Sequence, residues 1–348
     1  MKTLLKAHFD RHPAMEVEDG IKFLYQSHMG PGHLIADEVA ALARLEKEWQ
    51  TAPAQPGLPL FEPLGNGLCR LNLAPCRELG LSPRTLLRLF VLTAVEVIPD
   101  PKGLRDSLEL VRSLPFPKEE VDRTLGDYLA RGCPMVSHSA AYRAAYAPAY
   151  RVVSRFYVDL IPLLSAIDRL LAQGGPMRVA LDGPCASGKS TLGGALARIY
   201  ACPLIPMDDF FLQPHQRSPE RLAQTGGNVD YERFFREVLS PLTEGRPVRY
   251  RPWRCGEGDF GPEIVIPPSP LTVVEGVYSL RPDLRAHYHL RVWVEAPWEA
   301  RRQRLLERGG PGCLERFRQL WIPLEDRYFE ACGVRECCHI ALSGTNEA

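Results

Sequence analysis

The chain has 348 residues, 45% of them hydrophobic and 24% charged, which is enough for roughly two domains that each bury a core. Its 42 basic residues balance 42 acidic ones, so the net charge is zero and the basic excess of a nucleic-acid-coating protein is missing. No apolar run reaches the roughly 18 residues of a membrane-spanning helix, and the opening MKTLLKAHFDRHP carries charges where a secretory signal needs an apolar stretch. These features lead us to expect a soluble, cytoplasmic protein.

Residues 1–150 are expected to form a mostly helical domain. Apolar residues recur at helical spacing in Ile21–Met29, Leu34–Trp49, Thr85–Val97 and Leu104–Leu114. The Pro/Gly-rich stretch TAPAQPGLPLFEPLGNG breaks this pattern before a strand-like segment, GLCRLNL. Charge is balanced here too, with 17 basic and 18 acidic residues. Two groups of polar residues stand out. One is the turn His28-Met29-Gly30-Pro31-Gly32-His33, for which a capped polar loop is the default and metal binding or catalysis the alternative. The other is His138, Tyr142 and Tyr146, which recur every four residues with Arg143 beside them. On a helix they share a face that could line a pocket for an anionic ligand, or pack with their polar tips in water.

Residues 151–176 are expected as a linker helix, part of one amphipathic helix from Tyr150 to Gln173 interrupted at Pro162. Gln173-Gly174-Gly175-Pro176 ends it. From residue 177 the pattern changes. MRVALD, PLIPM, LTVVEG and YHLRVWVEA are short aliphatic runs with helix-like stretches between them, which indicates βαβ units and a parallel sheet. The ten cysteines contain no CxxC pair. The tightest group, Cys332, Cys337, Cys338 and His339, has zinc-binding atoms at unsuitable spacing and reads as reduced structural thiols.

The segment Gly183-Pro184-Cys185-Ala186-Ser187-Gly188-Lys189-Ser190, followed by Thr191, fits the phosphate-binding pattern G-x-x-x-x-G-K-[ST] between a strand and a helix. Glycines allow backbone N–H groups to turn inward around phosphate oxygens, and the helix N-terminus adds unpaired amides and a positive dipole end. Gly183, Ala186, Ser187, Gly188, Lys189, Ser190 and Thr191 are therefore the expected nucleotide-binding residues. Lys189 reaches the β- and γ-phosphates of ATP, and Ser190 is an expected Mg²⁺ ligand. Met207-Asp208-Asp209-Phe210-Phe211 follows the next strand, where a carboxylate sits at the mouth of an α/β sheet and can accept a proton from a hydroxyl.

Beyond the P-loop, the chain carries MDDFF, Asn228-Val229-Asp230-Tyr231-Glu232-Arg233-Phe234, Tyr250-Arg251-Pro252-Trp253-Arg254-Cys255, Val273-Val274-Glu275-Gly276 and an arginine-rich stretch running to Trp321–Phe329. In this order they resemble the uridine kinase-like family of P-loop small-molecule kinases, over about residues 178–329. The resemblance implies an α/β P-loop core in residues 177–348 and ATP-dependent transfer to a hydroxyl, with ATP and Mg²⁺ as cofactors. It implies Asp208 as general base and Glu275 as a second residue near Mg²⁺. Phe210, Tyr231, Tyr250 and Trp253 would line the acceptor pocket, and Arg304 and Arg308 would belong to a lid over the phosphates. Arg301 and Arg302 are alternatives for the lid role. The family's fuller acceptor pattern of His and Arg residues is not recognisable around Trp253. The expected partner is a small-molecule acceptor, a nucleoside first and another metabolite alcohol second, with neither nucleic acid nor membrane. A homo-oligomer is compatible with the sequence. The reading from a different class is an ATP-sensing regulator acting on the N-terminal domain.

Overall fold

The computed structural model describes residues 1–31, 37–54 and 57–344. The chain divides into two compact units, Met1–Arg169 and a second that begins at Leu170. No helix among the described residues is long and apolar enough to cross a membrane.

The first unit is helical around a small antiparallel sheet. Strands β1 (Phe61–Gly65), β2 (Leu68–Asn72) and β3 (Tyr150–Ser154) lie in the order β1-β2-β3. Helices Lys2–Arg11, Val17–Met29, Lys118–Ala130 and Ala140–Tyr146 contribute to one apolar core that includes Leu5, Ile21, Phe23, Leu24, Val111, Leu125 and Tyr128. Helix starts follow the expected chemistry: Ser82 caps Pro83–Glu96 through the Thr85 amide, and Asp100 caps Pro101–Ser107 through that of Gly103.

Three expectations for this unit need correction. The Pro/Gly-rich break contains β1, because Phe61–Pro63 and Gly65 pair with β2 across the Asn66-Gly67 turn, with an irregularity in register at Leu64. The helix expected over Leu104–Leu114 changes to tighter 3₁₀ geometry at Leu108–Ser113. The helix expected from Tyr150 to Gln173 opens as a strand instead. Tyr150–Ser154 pairs antiparallel with β2 from Asn72 to Leu68, and this pairing overrides the helical spacing. Helices Arg155–Asp159 and Ile161–Leu171 then follow, with Pro162 tolerated in the first turn of the second.

The second unit is built on five parallel strands, β4 (Met177–Asp182), β5 (Leu204–Pro206), β10 (Leu271–Glu275), β11 (Leu290–Glu295) and β12 (Ile340–Ser343). Two small antiparallel pairs lie between β5 and β10 in sequence. These are β6 (Val248–Tyr250) with β9 (Ile264–Ile266) and β7 (Trp253–Arg254) with β8 (Asp259–Phe260). The parallel order is β12-β11-β4-β10-β5, and every neighbouring pair is parallel. β10 is buried along its whole length, as its near-continuous apolar sequence requires in a sheet covered on both faces. In register, Glu275 lies beside Leu181 and Pro206, so β4, β10 and β5 end side by side. This edge, where ligands bind in open α/β sheets, carries the glycine-rich turn, Asp208 and Glu275.

Candidate nucleotide and acceptor site

β4 leads directly into the P-loop. Gly183 has φ +146°, and a Cβ there would lie 2.0 Å from the Val294 carbonyl oxygen on β11, so only glycine allows the loop to leave the sheet at this point. Gly188, at φ +104°, precedes the helix Lys189–Tyr200. Between them the loop curls around Lys189, whose Nζ donates to the carbonyl oxygens of Gly183 at 2.7 Å and Pro184 at 2.9 Å. Ser190 and Thr191 open to solvent at the helix start. The Ser190 hydroxyl donates to Glu275 Oε1 at 3.1 Å. Burial pushes the Glu275 carboxyl above its usual range, opposed by the charge on Lys189. The hydroxyl of Ser187, inside the loop, is buried without a protein partner.

The residues present fit Mg-ATP. A hydroxyl and a carboxylate 3.1 Å apart are the hard oxygen donors that Mg²⁺ prefers, and the loop supplies backbone amides, a lysine and the unpartnered Ser187 hydroxyl beside them.

Asp182 was missed in the sequence as more than a strand end. It is wholly buried: Oδ1 accepts from the Gly183 amide at 2.7 Å, and Oδ2 accepts from Leu280 N at 2.9 Å and Tyr328 Oη at 2.8 Å. Burial raises its carboxyl to about 6 against the pull of these donors and of Lys189. It ties the loop's entrance to the segments after β10 and around Tyr328. Glu325, also buried, accepts from the Cys185 amide at 2.8 Å and holds the loop's tip.

Arg304 was expected in a phosphate lid, but it donates to the Ala186 carbonyl at 2.9 Å and also to that of Gly344. Arg301 likewise donates to the Cys185 carbonyl at 2.8 Å and lies 4.0 Å from Glu325. Both brace the outside of the loop. Arg308 is exposed, and its charge reaches Asp208; Arg302 is exposed as well. The helix carrying them breaks at Gly309-Gly310, whose backbone is non-helical.

Asp208 is exposed to solvent. The surrounding protein raises its carboxyl above the usual range, opposed by Lys189 and Arg308. Asp209 faces the hairpin region and accepts from Tyr250 Oη at 3.0 Å. Arg233, not singled out from the sequence, binds the Asp209 carbonyl and donates to the Arg251 carbonyl at 2.7 Å, and its guanidinium lies 4.4 Å from the centre of the Phe210 ring. It fastens the acidic segment to the hairpins. An open groove of about 600 Å³ beside it is lined by Gln216, Asp230, Arg233 and Phe260 among others.

The aromatic residues expected to contact an acceptor are mostly core. Phe210 is 0% exposed and packs on Phe234 and Tyr250, each ring centre 5.0 Å away. Tyr231 is 4% exposed under the guanidinium of Arg281, at 4.1 Å, and Trp253 is buried against Phe260. They shape the floor on which Asp208 and Asp209 stand. Tyr250 alone of the four reaches an acidic side chain, through its hydroxyl.

The histidine turn of the first unit is only partly described. His28 sits 3.4 Å from Asp100, while Gly32 and His33 fall outside the described residues. The four residues of the cysteine-rich tail hold no metal cluster among the described residues: the thiols of Cys337 and Cys338 donate to the Val334 carbonyl.

Strand β4, the glycine-rich turn and the helix Lys189–Tyr200 on a parallel sheet define a P-loop α/β fold. No family model and no curated protein matches the chain. Solved structures similar to it include a "possible uridine kinase" from Bacillus stearothermophilus, 17% identical with a TM-score of 0.39, over 52% of this chain and 99% of that one. A candidate fructose transport system kinase from Silicibacter sp. TM1040 is 25% identical with a TM-score of 0.41, over 49% and 90%. Shikimate kinase from Aquifex aeolicus is 19% identical with a TM-score of 0.26, over 49% and 88%. The N-terminal half has no counterpart in them. The functional reading therefore stands on this chain's own residues.

Proposed function

We propose that the second unit is an ATP- and Mg²⁺-dependent kinase that phosphorylates a hydroxyl of a small molecule, with a nucleoside such as uridine or cytidine as the leading acceptor. The observation that carries this is the placement of Asp208 at the strand edge it shares with the P-loop and with the Ser190–Glu275 pair, open to solvent and within the fields of Lys189 and Arg308. A protein that only senses ATP has no use for an accessible carboxylate there.

In this reading the P-loop amides and Lys189 hold the phosphates, and Ser190 and Glu275 hold the metal. Bound Mg²⁺ supplies charge neutralisation on the phosphate oxygens. Asp208 takes the proton from the acceptor hydroxyl, and its raised carboxyl makes it a better base than an ordinary aspartate. Arg308, beyond the loop-bracing Arg301 and Arg304, is free to neutralise charge on the transferring group. Asp209 and Tyr250 orient the segment.

The test is mass-spectrometric detection of a phosphorylated product after incubating the protein with Mg-ATP and uridine, cytidine, sugar phosphates or pantothenate-like alcohols. One phosphorylated acceptor supports the proposal and names its class. ATP binding without a product from any of them supports instead the ATP-sensing regulator, whose output would be sought in the first unit.

A further inference from the structure

The first unit contains a buried cation with an unspent donor. Arg70, in the middle of β2, is 1% exposed. Its Nε donates to Gln26 Oε1 at 2.8 Å, and its Nη1 lies 3.1 Å from His8 Nε2 and 3.4 Å from Glu62 Oε2. Its Nη2 is buried and has no partner. The Tyr150 ring lies 4.9 Å from the guanidinium and the Phe23 ring 5.4 Å, which fixes its plane. An orphaned N–H pair on a buried guanidinium is costly unless something accepts from it.

Arg70 lines an open-mouthed cavity of about 70 Å³, space for about five water-sized positions. Arg11, His12, Glu62, Tyr142 and Tyr146 share its wall, with Leu58, Pro59 and Pro148 giving it an apolar side. The charge count around it favours an anion. Glu62 already serves His8 Nδ1 at 2.7 Å and Arg11 Nη1 at 2.8 Å as well as Arg70. The His8 N–H points to Glu62, so its other nitrogen accepts from Arg70 and the ring is neutral. His12 Nδ1 is 3.0 Å from the His8 carbonyl and donates to it. Two guanidinium groups then face one carboxylate, leaving one positive charge.

His8, His12 and Glu62 also bring ligand atoms within 4.8 Å of one another, as a metal site would. A metal there would sit against two guanidinium groups and would have to displace the partner on whichever His8 nitrogen it used, Glu62 on Nδ1 or Arg70 on Nε2. A dianionic phosphate would overshoot the single positive charge. We propose that this cavity binds a small organic monocarboxylate, its carboxylate accepting from Arg70 Nη2 and its short body lying against Tyr142, Tyr146 and the apolar wall.

Of the face expected to line an anion pocket, Tyr142 and Tyr146 line this cavity, whereas His138 and Arg143 are not among its lining residues. His138 instead stacks on Tyr142 at 4.2 Å and bonds to Asp19 and Tyr150, while Arg143 binds the His138 carbonyl.

The test is isothermal titration calorimetry on the full chain carrying Lys189→Ala, so that the P-loop contributes little anion binding. Acetate, butyrate, lactate and benzoate are titrated beside inorganic phosphate and zinc chloride. We expect at least one carboxylate to bind more tightly than phosphate, and Arg70→Lys, which keeps the charge but loses Nη2, to weaken it at least tenfold. Arg11→Gln, at the rim where folding is least at risk, should also weaken it severalfold by neutralising the lining. Absence of carboxylate binding, carboxylate affinity unchanged in folded Arg11→Gln, or tighter binding of phosphate or zinc would each overturn the proposal.

Discussion

The hydroxyl of Ser190, the first exposed residue of the P-loop helix, donates to Glu275 Oε1 at the end of β10 across 3.1 Å. One residue belongs to the phosphate loop and the other to the neighbouring strand, and the parallel register of β4 and β10 brings them together. If the pair holds Mg²⁺, Glu275→Gln should raise the Mg²⁺ concentration for half-maximal activity at least tenfold. Binding of ADP without metal should change by less than about threefold. Magnesium titration of acceptor-dependent ATP turnover checks the first, and calorimetry in EDTA the second.

Asp208 makes a separate prediction. Asp208→Asn should lower kcat by about 10²–10⁴-fold, the range for removing a general base, while ATP affinity stays within about twofold. The base works only when ionised, so wild-type kcat should rise with pH through the Asp208 pKa and then level off. That rising limb should lie above the ordinary aspartate value of 3.8, because the surrounding protein raises this carboxyl. The asparagine variant should lack the limb in its pH–rate profile.

The arginines separate loop bracing from charge stabilisation. Arg304→Ala removes a donor to the Ala186 carbonyl and should weaken ATP binding. Arg308→Ala touches no loop backbone and should lower kcat by an order of magnitude or more with ATP affinity preserved. Steady-state kinetics alongside equilibrium ATP binding distinguishes the two patterns.

The first unit should lose stability in mild acid. Burial is the main cause that lowers His8 and His138 to about 4, with Arg70 adding to it against the opposing bonds to Glu62 and Asp19. Both groups are depressed from 6.5, so between pH 6.5 and 4 the unfolded chain takes up protons that the folded one refuses. Stability then falls as pH drops through that window, by at most about 1.4 kcal/mol per pH unit for each histidine. Glu62 and Asp19 stand near 2: burial would raise them, but hydrogen bonds with His8 and with His138 and Ser139 hold them down. Their contribution is complete above the ordinary carboxyl range and is lost only as pH falls towards 2. His138→Gln keeps hydrogen-bonding capacity without a titration, so its unfolding temperature should change less between pH 7 and 5 than that of the wild type.

What the sequence made legible follows from how local each signal is. The P-loop is contiguous, and Asp208 and Glu275 follow apolar runs that read as strands, so all three could be placed at one sheet edge. The aromatic residues were visible, but the direction of each side chain was not. Phe210 and Tyr231 turned into the core because the chain between β5 and β10 folds back over them. Asp182 looked like the end of a strand, since its partners Leu280 and Tyr328 lie 98 and 146 residues away. Arg70 was one letter in an apolar strand, and its partners Gln26 and His8 are 44 and 62 residues distant. Tyr150 read as helical because its spacing suited a helix, and only pairing with β2 decides otherwise.

The central claim is acceptor-dependent phosphoryl transfer at the P-loop, and the most direct measurement is ADP release from Mg-ATP by wild type and Lys189→Ala across a panel of nucleosides and small alcohols. The account predicts that one acceptor class stimulates release by at least tenfold in the wild type and not in the variant. Release that no acceptor stimulates, with ATP still bound by the wild type, would contradict it.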